Sequence, residues 1–261
     1  NQLYFSALGT DNATELWTYD GVNDPSLVAD INNTNAGSYP GVFVEFEDEI
    51  YFVANNDTAG QEIHVYDGDN QVSLLADLNE GSNGSNPAEL TVMNDKLYFS
   101  AYDGGTSGEE LWMYNGEDPP SIVEDIHSGS ASAVPRELTV LDNKLYFTAE
   151  NGSDGRELWV YEGSGIPEKI TDINSGSEGS YPTSLTVLDG ELYFSARDGT
   201  HGYELWKYDG QSIVNMVKDI NIGSDASGPE NLTVYNGRLY FYADDGTHGK
   251  ELMVYSTDGT V

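Results

Sequence analysis

Leu192-Tyr193-Phe194-Ser195-Ala196-Arg197-Asp198-Gly199-Thr200-His201-Gly202-Tyr203-Glu204-Leu205-Trp206-Lys207-Tyr208-Asp209-Gly210 reads as two β-strands joined by a turn. Side chains alternate across a strand, so Leu192, Phe194 and Ala196 share one face while Tyr193 and Ser195 share the other. Asp198 to Gly202 carries turn chemistry, with glycines where positive φ is expected. Glu204 to Tyr208 alternates again and stops at Asp209-Gly210. Upstream, Leu185-Thr186-Val187-Leu188 ends at Asp189-Gly190, a two-residue hairpin signal, and downstream Ile213 to Ile220 forms a fourth apolar run. The unit is therefore four short antiparallel strands, A to D. No stretch shows helical periodicity.

The same unit is written six times. Copies of Leu-Tyr-Phe-Ser-Ala begin at Leu3, Ile50, Leu97, Leu145, Leu192 and Leu239, in steps of 47, 47, 48, 47 and 47 residues. Glu-Leu-Trp or a variant follows each, at Glu15, Glu62, Glu110, Glu157, Glu204 and Glu251. The longest link joins D to the next A; it reads Asp-Ile-Asn or similar, then Gly/Ser, then Pro40, Pro87, Pro135, Pro182 or Pro229. A proline there removes no ladder hydrogen bond, because the strand has not begun. Four-stranded meanders at a period in the forties mark an all-β fold of β-propeller blades. The repeat units run approximately 1–40, 41–87, 88–135, 136–182, 183–229 and 230–261, taken as one domain, 1–261.

Strands B and C occur six times but A and D only five. Six blades with incomplete terminal blades is the first expectation. Five is the alternative, in which the strand leading to Asp30 completes the C-terminal A–B–C set. The chain opens inside a repeat, which is expected of a mature product or a piece of a longer chain.

Composition narrows the partners. There are 45 acidic against 10 basic residues, a formal charge of −35. That field repels nucleic-acid phosphates and anionic membranes and favours cations or cationic partners. Aromatic residues at 11% and regular alternation argue against disorder. Cysteine is absent, which removes disulfides, thiolate metal sites and cysteine nucleophiles. No apolar run approaches the roughly 18 residues of a membrane span.

These residues resemble the ELWxxDGT-repeat family. The likeness rests on the Glu-Leu-Trp cores, the Asp198–Gly202 and Asp245–Gly249 turns and the Asp-Ile strand ends, and covers nearly the whole chain. It departs after the tryptophan, where this chain reads Tyr-Asp-Gly without the threonine; only Asp258-Gly259-Thr260 has it, displaced by one residue. The resemblance implies a propeller of bacterial, secreted or surface-associated type and carries over no catalytic residue.

Candidate sites follow from the repeats. In propeller blades the B–C turns and D–A loops share one face. The loops bring Asp30, Asp77, Asp125, Asp172 and Asp219, with Asn32, Asn79, Asn174 and Asn221, hard oxygen donors of the type Ca2+ takes six to eight at a time. The other reading is that each aspartate caps its own loop. The six equivalent glutamates read as scaffold, since a catalytic acid is normally placed once, with a partner of different pKa. Trp17, Trp112, Trp159 and Trp206 recur at one position, with His64 and Met253 in the other copies. They read as inter-blade core or as platforms for sugar rings. His64, His127, His201 and His248 form no metal or triad spacing. Asn-x-Ser/Thr sequons at Asn12, Asn32, Asn56, Asn83, Asn151 and Asn231 are acceptors only under glycosylating secretion.

The expectation is an extracellular or cell-surface module that binds or assembles without catalysis, in adhesion, matrix or a surface fibre. Its partner is a protein or glycan surface, or copies of itself. A lectin with repeated sites is the first rival; its blade length is similar to that of tachylectin-type propellers. A hydrolase or lyase with a central-channel site is the second.

Overall fold

Each Leu-Tyr-Phe-x-Ala segment forms the second or, in the first copy, the leading strand of its own antiparallel sheet. The computed structural model describes residues 2–9, 12–32, 36–69 and 71–256. The first sheet is β1 (Leu3–Leu8), β2 (Thr14–Tyr19) and β3 (Ser26–Ala29). The second is β4 (Gly41–Phe46), β5 (Glu49–Asn56), β6 (Gly60–Tyr66) and β7 (Val72–Leu74). The third is β8 (Ala88–Val92), β9 (Leu97–Tyr102), β10 (Glu109–Tyr114) and β11 (Ser121–Glu124). The fourth is β12 (Arg136–Leu141), β13 (Lys144–Glu150), β14 (Arg156–Tyr161) and β15 (Glu168–Lys169). The fifth is β16 (Thr183–Leu188), β17 (Glu191–Arg197), β18 (Tyr203–Tyr208) and β19 (Val214–Lys218). The sixth is β20 (Glu230–Tyr235), β21 (Arg238–Asp244) and β22 (Lys250–Tyr255).

The fold is all-β, of propeller type, with six blades. β3 pairs with β2 through Trp17–Leu27 and Thr18–Ser26, so the strand before Asp30 completes the first sheet. The five-blade alternative required it at the other end of the chain. Among the described residues the first sheet has no A strand and the sixth no D strand, in line with the strand count.

By contacts, the chain forms two units: Asn1–Asp125 with Gly129–Ala131, and Ile126–Ser128 with Ser132–Val261. In the first unit the joint between sheets one and two packs Leu16 with Phe52, Ala54 and Tyr66. The next joint packs Tyr51 and Ile63 with Leu97, Phe99 and Ala101. The second unit repeats the pattern. Tyr146 and Leu158 meet Leu192, Phe194, Ala196 and Tyr208. Tyr193 and Leu205 meet Leu239, Phe241, Ala243 and Tyr255. Each joint thus sets a Tyr/Leu pair of one sheet, or its equivalent, against a Leu/Phe/Ala/Tyr quartet of the next.

Alternation did not reveal a bulge in every A strand. The register slips between Gly41 and Val44, Ala88 and Thr91, Arg136 and Thr139, Thr183 and Thr186, and Glu230 and Thr233. The second residue of each slip has positive φ: Val42, Glu89, Glu137, Ser184 and Asn231. A threonine hydroxyl two residues on donates to its carbonyl in four copies (Thr91, Thr139, Thr186 and Thr233). Val42, at φ +53°, is β-branched in a left-handed conformation and has Val44 where the others have threonine. Val42→Asn should raise the thermal midpoint, corresponding to about 1 kcal/mol, because asparagine enters this region at lower cost. A melt equal to or below wild type would contradict that reading.

Candidate functional site

The motif glutamate accepts three hydrogen bonds from the D–A loop. Glu157 on β14 is fully buried. Its Oε1 accepts from Ser180 N–H at 2.7 Å, and its Oε2 accepts from Ser180 Oγ at 2.5 Å and from Ile173 N–H at 3.3 Å. Ser180 in turn accepts from Arg197 N–H on the next sheet at 3.1 Å. One serine in the D–A loop therefore rivets two sheets. The same rivet recurs at Glu15–Ser38, Glu62–Ser85 and Glu204–Ser227. The sequence reading did not single out these serines, although each stands two residues before the periodic proline; Ala133 holds that place in the remaining loop.

Burial pushes the pKa values of Glu62, Glu157 and Glu204 upward, and the serine hydrogen bonds only partly offset it. A carboxyl whose pKa is higher folded than unfolded contributes most below the unfolded value and loses that contribution as pH rises through the folded one. Turn aspartates run the other way. Burial opposes ionisation of Asp103, yet bonds from Thr106, Gly105 and Ser107 outweigh it and hold the group at about 2. Lys169, then Asn151, hold Asp154 at about 2. Their contribution is present above the unfolded carboxylate range and lost as pH falls towards 2. Buried His64, its pKa lowered mainly by desolvation, also favours the higher pH. Thermal stability should accordingly rise on acidification from neutral towards the carboxylate range and fall steeply near pH 2. Glu204→Gln should flatten the rise; an unchanged slope would assign it to relief of general charge repulsion.

The loop asparagines act as staples between loop and turn. Asn79, Asn174 and Asn221 donate Nδ2–H to the carbonyls of Gly84, Gly179 and Ala226, and Asn32 to Ala36. Asn32 Oδ1 accepts from Asp57 N–H in the next sheet's B–C turn. Asn174 Oδ1 faces Gly199, φ +81°, where a Cβ would lie 2.6 Å away, so this turn admits only glycine without a shift. The aspartates cap their loops: Oδ2 of Asp77, Asp125, Asp172 and Asp219 accepts from the glycine N–H four residues on, at 3.2, 3.0, 3.5 and 3.2 Å. Oδ1 of Asp125, Asp172 and Asp219 is buried without a hydrogen-bond partner. Asp30 lies beside a cleft described below. Among the described residues no three His, Cys, Asp or Glu side chains converge as a metal set. A Ca2+ ion at these loops would have to rest on the orphan oxygens, backbone carbonyls and water.

The tryptophans are embedded in the sheets. Trp112 and Trp159 are buried, and their Nε1–H groups donate to Ala101 and Ala149 carbonyls at 3.0 and 3.1 Å. Trp112 stacks on Phe99. Trp17 and Trp206 are half-buried. Little ring face is left for a sugar at Trp112 or Trp159. Of the sequons, Asn12, Asn83 and Asn231 are exposed; Asn32 is buried, and Asn56 and Asn151 cap their own turns. His201 and His248 bond Asp198 and Asp245 at 2.7 and 2.8 Å, which raises the histidine pKa values. Asp258-Gly259-Thr260 lies outside the described residues.

Two copies lack the tryptophan, carrying His64 and Met253 in its place, and the first of these adjoins a cleft. His64 replaces the tryptophan in the second sheet and is smaller, and a cleft of about 470 Å³ opens beside it in the first unit. Asp30, Asn56, Gln71 and His64 supply polar groups; Ile31, Val72 and Leu74 supply apolar walls. His64 Nδ1 lies 3.2 Å from the Glu62 carbonyl, which makes it the N–H donor and leaves Nε2 to accept from Asn56 Nδ2 at 3.3 Å. The ring is thus neutral, in keeping with its lowered pKa. The sequence signal was the substitution itself, noted there only as histidine at the tryptophan position.

No family model matches this chain, and no curated protein does. Solved structures do. A prolyl endopeptidase structure matches with TM-score 0.66 at 11% identity, over 99% of this chain and 40% of that one. A puromycin hydrolase S511A mutant complexed with PGG matches with TM-score 0.65 at 13% identity, over 99% and 42%. The BP39L lectin from Burkholderia pseudomallei matches with TM-score 0.51 at 9% identity, over 97% and 77%. The chain spans about two-fifths of the length of the peptidases it resembles. At these identities the similarity establishes a shared all-β propeller-type fold of six blades in this chain.

Proposed function

We propose that this chain is a non-catalytic extracellular or cell-surface module of the ELWxxDGT-repeat type that works by binding or assembly. The observation that carries the reading is the use of the repeated polar residues. Motif glutamates hold the D–A loops and loop asparagines brace those loops and their neighbouring turns, while large apolar residues of the first and sixth sheets are exposed. A surface with such residues is a place where partners dock. The test is a binding screen of the purified protein against immobilised glycans and matrix proteins, run beside ester, peptide and glycoside hydrolysis assays. Saturable binding without turnover is expected. Turnover abolished by one point substitution would replace this reading with an enzyme.

A lectin is the second reading, favoured by the His64 cleft. Its volume falls in the small-ligand range, and Asn56, Gln71 and Asp30 offer the mixed donors and acceptors that sugar hydroxyls require. His64→Trp, the residue of the other copies, should abolish sugar binding there while preserving the fold.

Ca2+ at the D–A loops belongs to the same proposal. A buried carboxylate oxygen without a partner calls for a cation, proton or water. Chelator should lower the melting temperature by more than a matched change of ionic strength. Equal shifts would reduce the effect to screening.

A further inference from the structure

We propose that the first sheet of one molecule docks on the sixth sheet of a second copy, head to tail, reproducing the joint used between sheets inside the chain. The inference rests on the assembly reading above and names its surfaces. Sheets one and two, two and three, four and five, and five and six meet through one pattern, a Tyr/Leu pair or its equivalent against a Leu/Phe/Ala/Tyr quartet. The first sheet carries an unused quartet, Leu3, Phe5, Ala7 and Tyr19. Leu3 is 59% exposed, whereas Leu97, Leu145, Leu192 and Leu239 at the same position are 0% exposed.

The sixth sheet carries the unused pair, Tyr240 and Leu252. Leu252 is 60% exposed, whereas Leu16, Leu111, Leu158 and Leu205 are 0% exposed. Tyr235, at the place of buried Phe46, Met93, Leu141 and Leu188, is 63% exposed, its ring tilted 59° to that of Tyr240 at 6.3 Å between centroids. Each molecule thus offers one half of the joint at each terminal sheet.

The outer half is not an identical copy of an internal one. Tyr242 stands where Val53, Ser100, Thr148 and Ser195 are buried, and Tyr235 brings a hydroxyl. Tyrosine tolerates water on a free face and packs well on a covered one, which suits a joint that opens and closes. A quartet meeting a pair is a heterologous contact, so it either propagates or closes a ring, the smallest being two copies joined by two such contacts.

The test is sedimentation velocity of the whole chain over a wide concentration range, in salt sufficient to screen its −35 charge. Wild type should associate with rising concentration. Leu3→Glu and Leu252→Glu lie at exposed positions, so both should keep wild-type circular dichroism, and each alone should remain monomeric. Mixed one to one, they share a single intact joint and should form dimers that grow no further. Tyr242→Asp should behave as Leu252→Glu does and serves if that variant misfolds. A wild type that stays monomeric, a single variant that still self-associates, or a mixture that stays monomeric would each overturn the inference. Monomeric wild type that still binds a glycan or matrix protein would remove self-assembly alone and leave the binding reading standing.

Discussion

Glu157→Ala should lower the urea midpoint sharply, corresponding to about 3–5 kcal/mol, because three buried donors lose their acceptor and each costs about 1–3 kcal/mol when left unsatisfied. Alanine leaves Ser180 N–H, Ser180 Oγ and Ile173 N–H facing a cavity, and loosens the serine that also receives Arg197 N–H. Glu157→Gln keeps the shape and one acceptor, so it should fall between alanine and wild type. The control is Glu251→Ala. It removes the same motif residue, but Glu251 is exposed, so the change should stay within about 0.5 kcal/mol. Equal losses at both positions would mean that the glutamate acts within its own strand and not as a rivet.

Phe194→Ala should be comparably damaging. Phe194 is fully buried between the fourth and fifth sheets against Leu158, Leu185 and Tyr208, and truncating a core phenylalanine costs about 3–5 kcal/mol. Phe5 occupies the same place in its copy but is only partly buried. Phe5→Ala should cost about 1 kcal/mol in the monomer, measured at a concentration too low for association. If Phe5→Ala matched Phe194→Ala under those conditions, the first sheet's outer face would be covered in solution.

These paired residues show what the repeat reveals and what it conceals. Phe5 and Phe194 sit in near-identical pentapeptides, Leu3–Ala7 and Leu192–Ala196, and both form strands with the expected alternation. Strand and hairpin formation depends on neighbours within a few residues, so the text of each copy suffices. The A-strand bulge escaped notice because Val42, Glu89, Glu137, Ser184 and Asn231 are of four different residue types, none of them glycine. Positive φ there is imposed by pairing with the next strand and is not announced by glycine.

Six blades against five was decided by the pairing of β3 with β2; the sequence by itself determined the strands, their four-fold grouping and the count of five A and five D strands against six B and six C. All of these follow from short-range periodicity, turn chemistry and a constant repeat length. Tertiary structure alone decided which polar residues became scaffold. Glu157 finds Ser180 across 23 positions, and Asn174 meets Gly199 across 25. It also decided that Leu252 stands in solvent while Leu205 is sealed, and that His64 lines a cleft with Asp30, Asn56 and Gln71. The physical reason is that burial and hydrogen-bond satisfaction are properties of a side chain's neighbours in space. Six nearly identical copies therefore acquire different roles from what is packed against them.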